Sequence, residues 1–139
     1  MGCYHSCTVS APADDVWATL RDFHDFSWAK SVLETCEKVG DPGPHEIGAG
    51  RLLNGTFRET LLELDDERKT LRYSIDDAPG TPVANATDYV GTIRIHPVTS
   101  DNTTFVEWSS QWSKSEGGVA EFCNPIYQAL LTALQKRFA

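Results

Sequence analysis

Hydrophobic and polar positions change period several times along the chain. Tyr4 to Ser10 is rich in Thr, Val and Tyr, as a strand is. Ser10-Ala-Pro-Ala-Asp-Asp then has the marks of a helix start: a Ser near the cap, Pro12 in the first turn and acids at the positive end. Val16, Trp17, Leu20 and Phe23 recur at helical spacing, and His24-Asp-Phe-Ser-Trp continues as a short second helix or turn. Val32 to Val39 reads as a strand, and Gly40-Asp-Pro-Gly-Pro breaks it. Arg51 to Asn54, Phe57 to Asp65 and Thr70 to Asp76 are strand-like, the last two joined as a hairpin through Asp65-Asp66-Glu67-Arg68. Asp77 to Asn85 is a loop with two prolines and a glycine. Thr87 to Val98 and Thr103 to Ser113 are two long strands. From Val119 to Phe138 the apolar residues Phe122, Ile126, Ala129, Leu130, Ala133, Leu134 and Phe138 keep helical spacing, which predicts a helix of roughly 30 Å.

This order predicts an α+β protein: seven antiparallel strands in one curved sheet, two short helices after the first strand, and a long last helix covering one face. Strand alternation then separates inner from outer positions. Tyr89, Gly91, Ile93 and Ile95 share one face, as do Leu71, Tyr73 and Ile75, and Phe57, Glu59 and Leu61. These are the expected inner sets. Glu59 stands out, because an inward carboxylate needs a cation or water to meet it. The Thr103 strand is ambiguous. Phe105, Glu107, Ser109 and Gln111 form one face and Val106, Trp108, Ser110 and Trp112 the other, and hydrophobicity alone turns the tryptophans inward.

Charge narrows the function. The 139 residues carry 12 Lys plus Arg against 20 Asp plus Glu, a formal net charge of −8. Nucleic-acid binding needs a basic face, and anionic membranes attract basic segments, so neither partner is expected. No apolar run reaches the roughly 20 residues of a membrane span. The N-terminus lacks the basic and apolar regions of a secretory signal, so a single cytoplasmic domain over residues 1–139 with reduced cysteines is expected. Cys3, His5 and Cys7 alternate onto one strand face, but no fourth ligand lies nearby, and no metal site is expected. Gly48-Ala-Gly50 is too short a pattern for a phosphate loop, and none of the four histidines has a serine or cysteine partner at triad spacing. No cofactor is expected.

Three segments carry a resemblance. Ser10-Ala-Pro-Ala-Asp-Asp-Val-Trp-Ala-Thr-Leu-Arg-Asp-Phe, the stretch from Gly50 to Ile75 with its Glu-x-Leu-x-x-Leu-Asp-Asp-Glu-Arg core, and Thr103-Thr-Phe-Val-Glu-Trp-Ser are similar to the polyketide cyclase/dehydrase-like proteins. These belong to the helix-grip superfamily, which also holds the major birch-pollen allergen and the steroidogenic-acute-regulatory-related lipid-transfer domains. The resemblance spans nearly the whole chain. It implies a sheet gripping the last helix around a cavity for a small hydrophobic or amphipathic ligand. By alignment with the plant abscisic-acid receptors, a cavity lysine falls on Lys30, cavity glutamates on Glu59 and Glu107, and a cavity tyrosine on Tyr89. The receptors' gate and latch motifs are absent. The onion lachrymatory-factor synthase branch places its cavity Arg and Glu on Arg51 and Glu59. The resemblance also turns Glu107 inward, and we adopt that orientation of its strand.

The expected ligand-binding set is therefore Lys30, Phe57, Glu59, Leu61, Tyr73, Tyr89, Gly91, Glu107, Ile126, Ala129 and Ala133. The expected function is binding of a small hydrophobic or amphipathic molecule, by a monomer or weak homodimer. The alternative is an enzyme of the cyclase, dehydratase or isomerase type, with Glu59, Arg51 and Tyr89 moving the proton.

Overall fold

The computed structural model describes all residues from Met1 to Ala139. Seven strands form one antiparallel sheet: β1 (Gly2–Val9), β2 (Cys36–Val39), β3 (Gly50–Leu53), β4 (Phe57–Asp65), β5 (Thr70–Asp77), β6 (Val90–Val98) and β7 (Thr103–Gln111). The sheet order is β1-β7-β6-β5-β4-β3-β2, so the chain's first strand pairs with its last. Two helices complete the fold, α1 (Ala13–Leu20) and α2 (Val119–Arg137). A 3-10 turn at Ser27–Ala29 follows α1, and another at Pro82–Asn85 lies in the loop before β6.

Local chemistry explains the boundaries. Pro12 caps α1 with extended backbone, and Asp14 and Asp15 sit in its positive first turn. Val16, Trp17 and Leu20 from its apolar stripe are buried. Gly118, with φ of 80°, makes the left-handed entry to α2. Lys136 and Arg137 lie at the negative end of that helix.

The helix α2 lies against the inner face of the sheet, and one core of 31 buried residues joins the two layers. Its buried positions are Val119, Cys123, Tyr127, Leu130, Leu131, Ala133 and Leu134. The face turned to the sheet is thus rotated from the expected stripe. Tyr127 and Leu131 are inside, whereas Phe122, Ile126, Ala129 and Phe138 are only partly buried.

Two further boundaries differ from expectation. Val32 and Leu33 do not begin a strand: their amides bond back to the Ala29 carbonyl and prolong the turn, so β2 starts only at Cys36. Thr87 pairs with Lys114 in an isolated bridge, and β6 starts after it.

The ambiguous strand is decided by packing. Val106, Trp108, Ser110 and Trp112 face inward and are buried. Glu107 lies on the outer face, where Tyr4 Oη donates to Oε2 at 2.7 Å and His96 Nε2 lies 2.8 Å from Oε1. The inward orientation taken for Glu107 is therefore corrected. Burying two indoles removes far more apolar surface from water than burying Phe105 would, and it leaves the carboxylate hydrated.

Candidate functional site

The site starts from strand register. Arg51 on β3 is directly opposite Glu59 on β4, and both side chains point inward. Their side chains are 4% and 5% exposed, which makes this a buried ion pair. Arg51 Nε donates to Glu59 Oε1 at 2.8 Å, and Nη2 lies 2.6 Å from the same oxygen. Arg51 Nη1 donates to the Phe23 carbonyl at 3.2 Å. The guanidinium carbon also sits 3.8 Å from the Phe23 ring centre, 4.7 Å from Phe26 and 5.2 Å from Tyr73. A planar cation among ring faces is held by its charge as well as its hydrogen bonds. Both contacts with Glu59 fall on Oε1, and Oε2 makes no hydrogen bond within the protein. Burial pushes the Glu59 carboxyl above the usual range, further than Arg51 draws it back down.

A cavity opens beside this pair, walled by β3, β4, β5 and β7, by Tyr89 just before β6, by α2 and by the segment after α1. Twelve of its 14 lining residues are hydrophobic, and Arg51 and Glu59 are the other two. The space open to the centre of a water molecule is about 40 Å³. That is room for a few waters, against the roughly 300–1,000 Å³ of sites for drug-sized ligands. Large side chains make it narrow. Trp108 Nε1 donates to Tyr73 Oη at 2.9 Å across the sheet. The hydroxyls of Tyr89 and Tyr127 bond each other, and Tyr89 Oη also donates to Cys123 Sγ at 3.6 Å. Burial raises all three tyrosine hydroxyls, so they stay protonated, and it pushes the Cys123 thiol up to about 11.

The expected residues divide by location. Glu59, Arg51, Phe57, Tyr73, Tyr89 and Ile126 line the cavity. Leu61 is fully buried in the core away from it. Gly91 lies beneath the Tyr73 ring, and a Cβ there would collide with that ring; its part is to admit Tyr73, not to touch a ligand. Ala129 and Ala133 are off the lining because α2 is turned to present Cys123, Tyr127 and Leu130. Lys30 is corrected: it follows the turn at Ser27–Ala29, is exposed, and borders a surface pocket. Its alkylammonium stays in water where it needs no buried partner. Glu107 is on the outer face, as described above. The tyrosine beside Arg51 is Tyr73, whereas the Tyr89 hydroxyl is engaged with Tyr127 and Cys123.

Sequence reading left Phe26, Leu33, Leu53, Ile75, Trp108, Cys123, Tyr127 and Leu130 out of the expected site set, although it placed Ile75 on an inner strand face. Cys123, Tyr127 and Leu130 stand at i, i+4 and i+7, a signal hidden by the more apolar Phe122 and Ile126 alongside. Phe26 and Leu33 lie in irregular backbone and carry no periodic signal at all.

Comparison with known proteins agrees with this architecture. The family model described as polyketide cyclase / dehydrase and lipid transport matches residues 3–139. No curated protein matches the chain. Among solved structures, a protein from Nitrosospira multiformis is 42% identical, with TM-score 0.95, covering 100% of this chain and 97% of its own. A protein from Thermobifida fusca is 26% identical at TM-score 0.82, covering 99% of this chain and 92% of its own. Major latex-like protein 151 of Panax ginseng has the same fold at 9% identity, with TM-score 0.81 over 99% of this chain and 97% of its own. The chain belongs to the polyketide cyclase/dehydrase and lipid-transport family.

Proposed function

We propose that the protein binds a slender, mostly apolar molecule carrying one hydrogen-bond donor, in the cavity between sheet and α2. One observation carries this. Glu59 Oε2 is a carboxylate oxygen on the wall of an otherwise apolar cavity, in a side chain only 5% exposed, without a hydrogen bond. An acceptor facing an apolar cavity without a partner is under-satisfied, and a ligand hydroxyl or ammonium would satisfy it. A carboxylate ligand would instead meet Oε2 with like charge. The supported ligand is therefore neutral or cationic at its polar end. Family membership supports a small-molecule cavity and leaves the ligand open.

The test is an NMR titration with 1-hexanol, hexylamine and hexanoate, following the Ile126 and Leu130 methyl signals. 1-Hexanol and hexylamine should shift both, and hexanoate should bind at least tenfold more weakly. Glu59→Gln should weaken 1-hexanol and hexylamine far more than Glu63→Gln, on the exposed stretch of β4. Equal affinity for hexanoate, or an indifferent Glu59→Gln, would refute the assignment.

One observation favours catalysis in the same cavity. A carboxyl held above its usual range beside a cation is suited to moving a proton, as a cyclase, dehydratase or isomerase requires. Turnover of a panel of ketide-like compounds, abolished by Glu59→Gln, would select that reading.

A further inference from the structure

A second pocket lies directly outside the cavity, and two side chains are common to both. Phe26 and Leu33 line the inner cavity and also the outer pocket, whose other walls are His24, Asp25, Ser27, Lys30, Glu34 and Cys36. Both partition side chains are buried, at 6% and 5% exposure. Strand register shows how close the two spaces are: Cys36, on the outer pocket, is the cross-strand partner of Leu53, on the cavity. The outer pocket offers about 250 Å³ to the centre of a water molecule, against about 40 Å³ inside.

The partition is built from the least regular part of the fold. Phe26 precedes the 3-10 turn Ser27–Ala29, and Leu33 follows it. Neither residue belongs to a strand or to α1 or α2. The Phe26 ring is held by the Trp28 ring, with centres 5.2 Å apart, and by the Arg51 guanidinium. Neither contact is covalent or part of a backbone ladder, so the ring can turn aside without breaking the sheet. The Arg51–Glu59 pair lies at the neck that this would open. Elsewhere on the cavity wall Phe57 of β4 packs on Phe122 of α2, with ring centres 6.2 Å apart, and both of these residues stand on regular elements.

We propose that the outer pocket is the port of the cavity, that Phe26 and Leu33 are its gate, and that it passes molecules with neutral or cationic polar ends, apolar end first, until the polar end stops at Glu59. Two carboxylates, Asp25 and Glu34, face one ammonium, Lys30, in the port. Asp25 already accepts a hydrogen bond from the Ser27 amide at 2.8 Å, which leaves Glu34 as the freer charge. An anionic head is therefore disfavoured at the port as well as at the neck. This rests on the cavity assignment proposed above.

The test measures exchange rates of 1-hexanol with the full chain by NMR relaxation dispersion at the Leu130 methyls. Phe26→Ala should raise both on- and off-rates at least tenfold, with a smaller change in affinity. Glu63→Gln, exposed and on the wall of neither space, should leave the rates within about twofold. The folded amide spectrum is recorded for each variant, and Phe26→Leu replaces Phe26→Ala if that spectrum is lost; it should raise the rates at least threefold. Exposed Glu34→Lys perturbs no core and should improve the ratio of hexanoate to hexylamine affinity at least threefold. If the Phe26 variants leave the rates as unchanged as Glu63→Gln does, or Glu34→Lys changes nothing, the port is refuted while the cavity stands. If 1-hexanol moves no cavity methyl in any variant, port and cavity assignment fall together.

Discussion

Arg51 and Glu59 dominate at the scale of single residues. A buried ion pair is a poor stabiliser, because both ions lose water and the attraction repays that only in part. Replacing the pair together, Arg51→Met with Glu59→Leu, should leave stability unchanged or raise it by about 1–4 kcal/mol in urea denaturation. A clear loss would mean that the pair holds the fold and that its chemistry is incidental. Breaking it is a different matter. Arg51→Met alone strands a carboxylate, and should cost about 3–5 kcal/mol at pH 8. At pH 4 the loss should be much smaller, since the lone carboxyl can take a proton. In the parent the sign follows from the raised Glu59 carboxyl. It binds its proton more tightly folded than unfolded, so its contribution is fully present below the unfolded value of about 4.3 and is lost as pH rises through the folded one. Glu59→Gln should therefore lack that decline, and denaturation midpoints of the two proteins between pH 4 and 8 will show it. Glu107 has the opposite sign. The Tyr4 hydrogen bond, the largest influence, together with His96 holds its carboxyl low against burial, so its contribution is present above the usual range and lost in acid.

At the scale of elements, close approach decides which substitutions are tolerated. Gly91 on β6 lets the Tyr73 ring of β5 lie flat across the sheet, and Tyr73 in turn accepts the Trp108 hydrogen bond from β7. Gly91→Ala should cost at least about 1–3 kcal/mol through overpacking, measured as a drop in the urea midpoint. On α2 the consequences follow from its rotation. Ala133 is buried against the core and off the cavity, so Ala133→Leu should also cost about 1–3 kcal/mol and leave 1-hexanol binding alone. Ile126 borders the cavity and is only partly buried, so Ile126→Phe should weaken 1-hexanol binding with little loss of stability. The reverse pattern would mean that α2 presents its other face to the ligand.

For the whole molecule, sheet and last helix form one cooperative unit. The sheet's inner face is covered chiefly by α2, which contributes seven buried residues. A chain ending at Gly118 should show no sharp thermal transition by circular dichroism. A single cooperative melt from that fragment would place the stabilising core within the sheet and α1. Charge acts at this scale too. The net −8 and the acidic port together disfavour anionic ligands, most strongly at low salt.

Much of this was set by the sequence alone. Period-two runs and one long helical stripe determined the α+β class, the seven strands and the terminal helix, because each pattern admits one secondary structure that can bury it. Alternation also put Glu59 between Phe57 and Leu61 on the inner face. What alternation could not do was choose between two chemically plausible faces of β7, where the resemblance to abscisic-acid receptors pointed Glu107 the wrong way. Nor could it set the rotation of α2, where Tyr127 and Cys123 displaced the more apolar Phe122 from the sheet. Only the tertiary structure decided those, since total burial across both layers fixes them and no local run contains that sum. The meeting of Arg51 with Glu59 needed the register of β3 on β4. The partition of Phe26 and Leu33 came from a turn without period, placed by contacts distant in sequence. The narrowness of the cavity has the same origin: it depends on four aromatic side chains, from β5, the residue before β6, β7 and α2, arriving at one point.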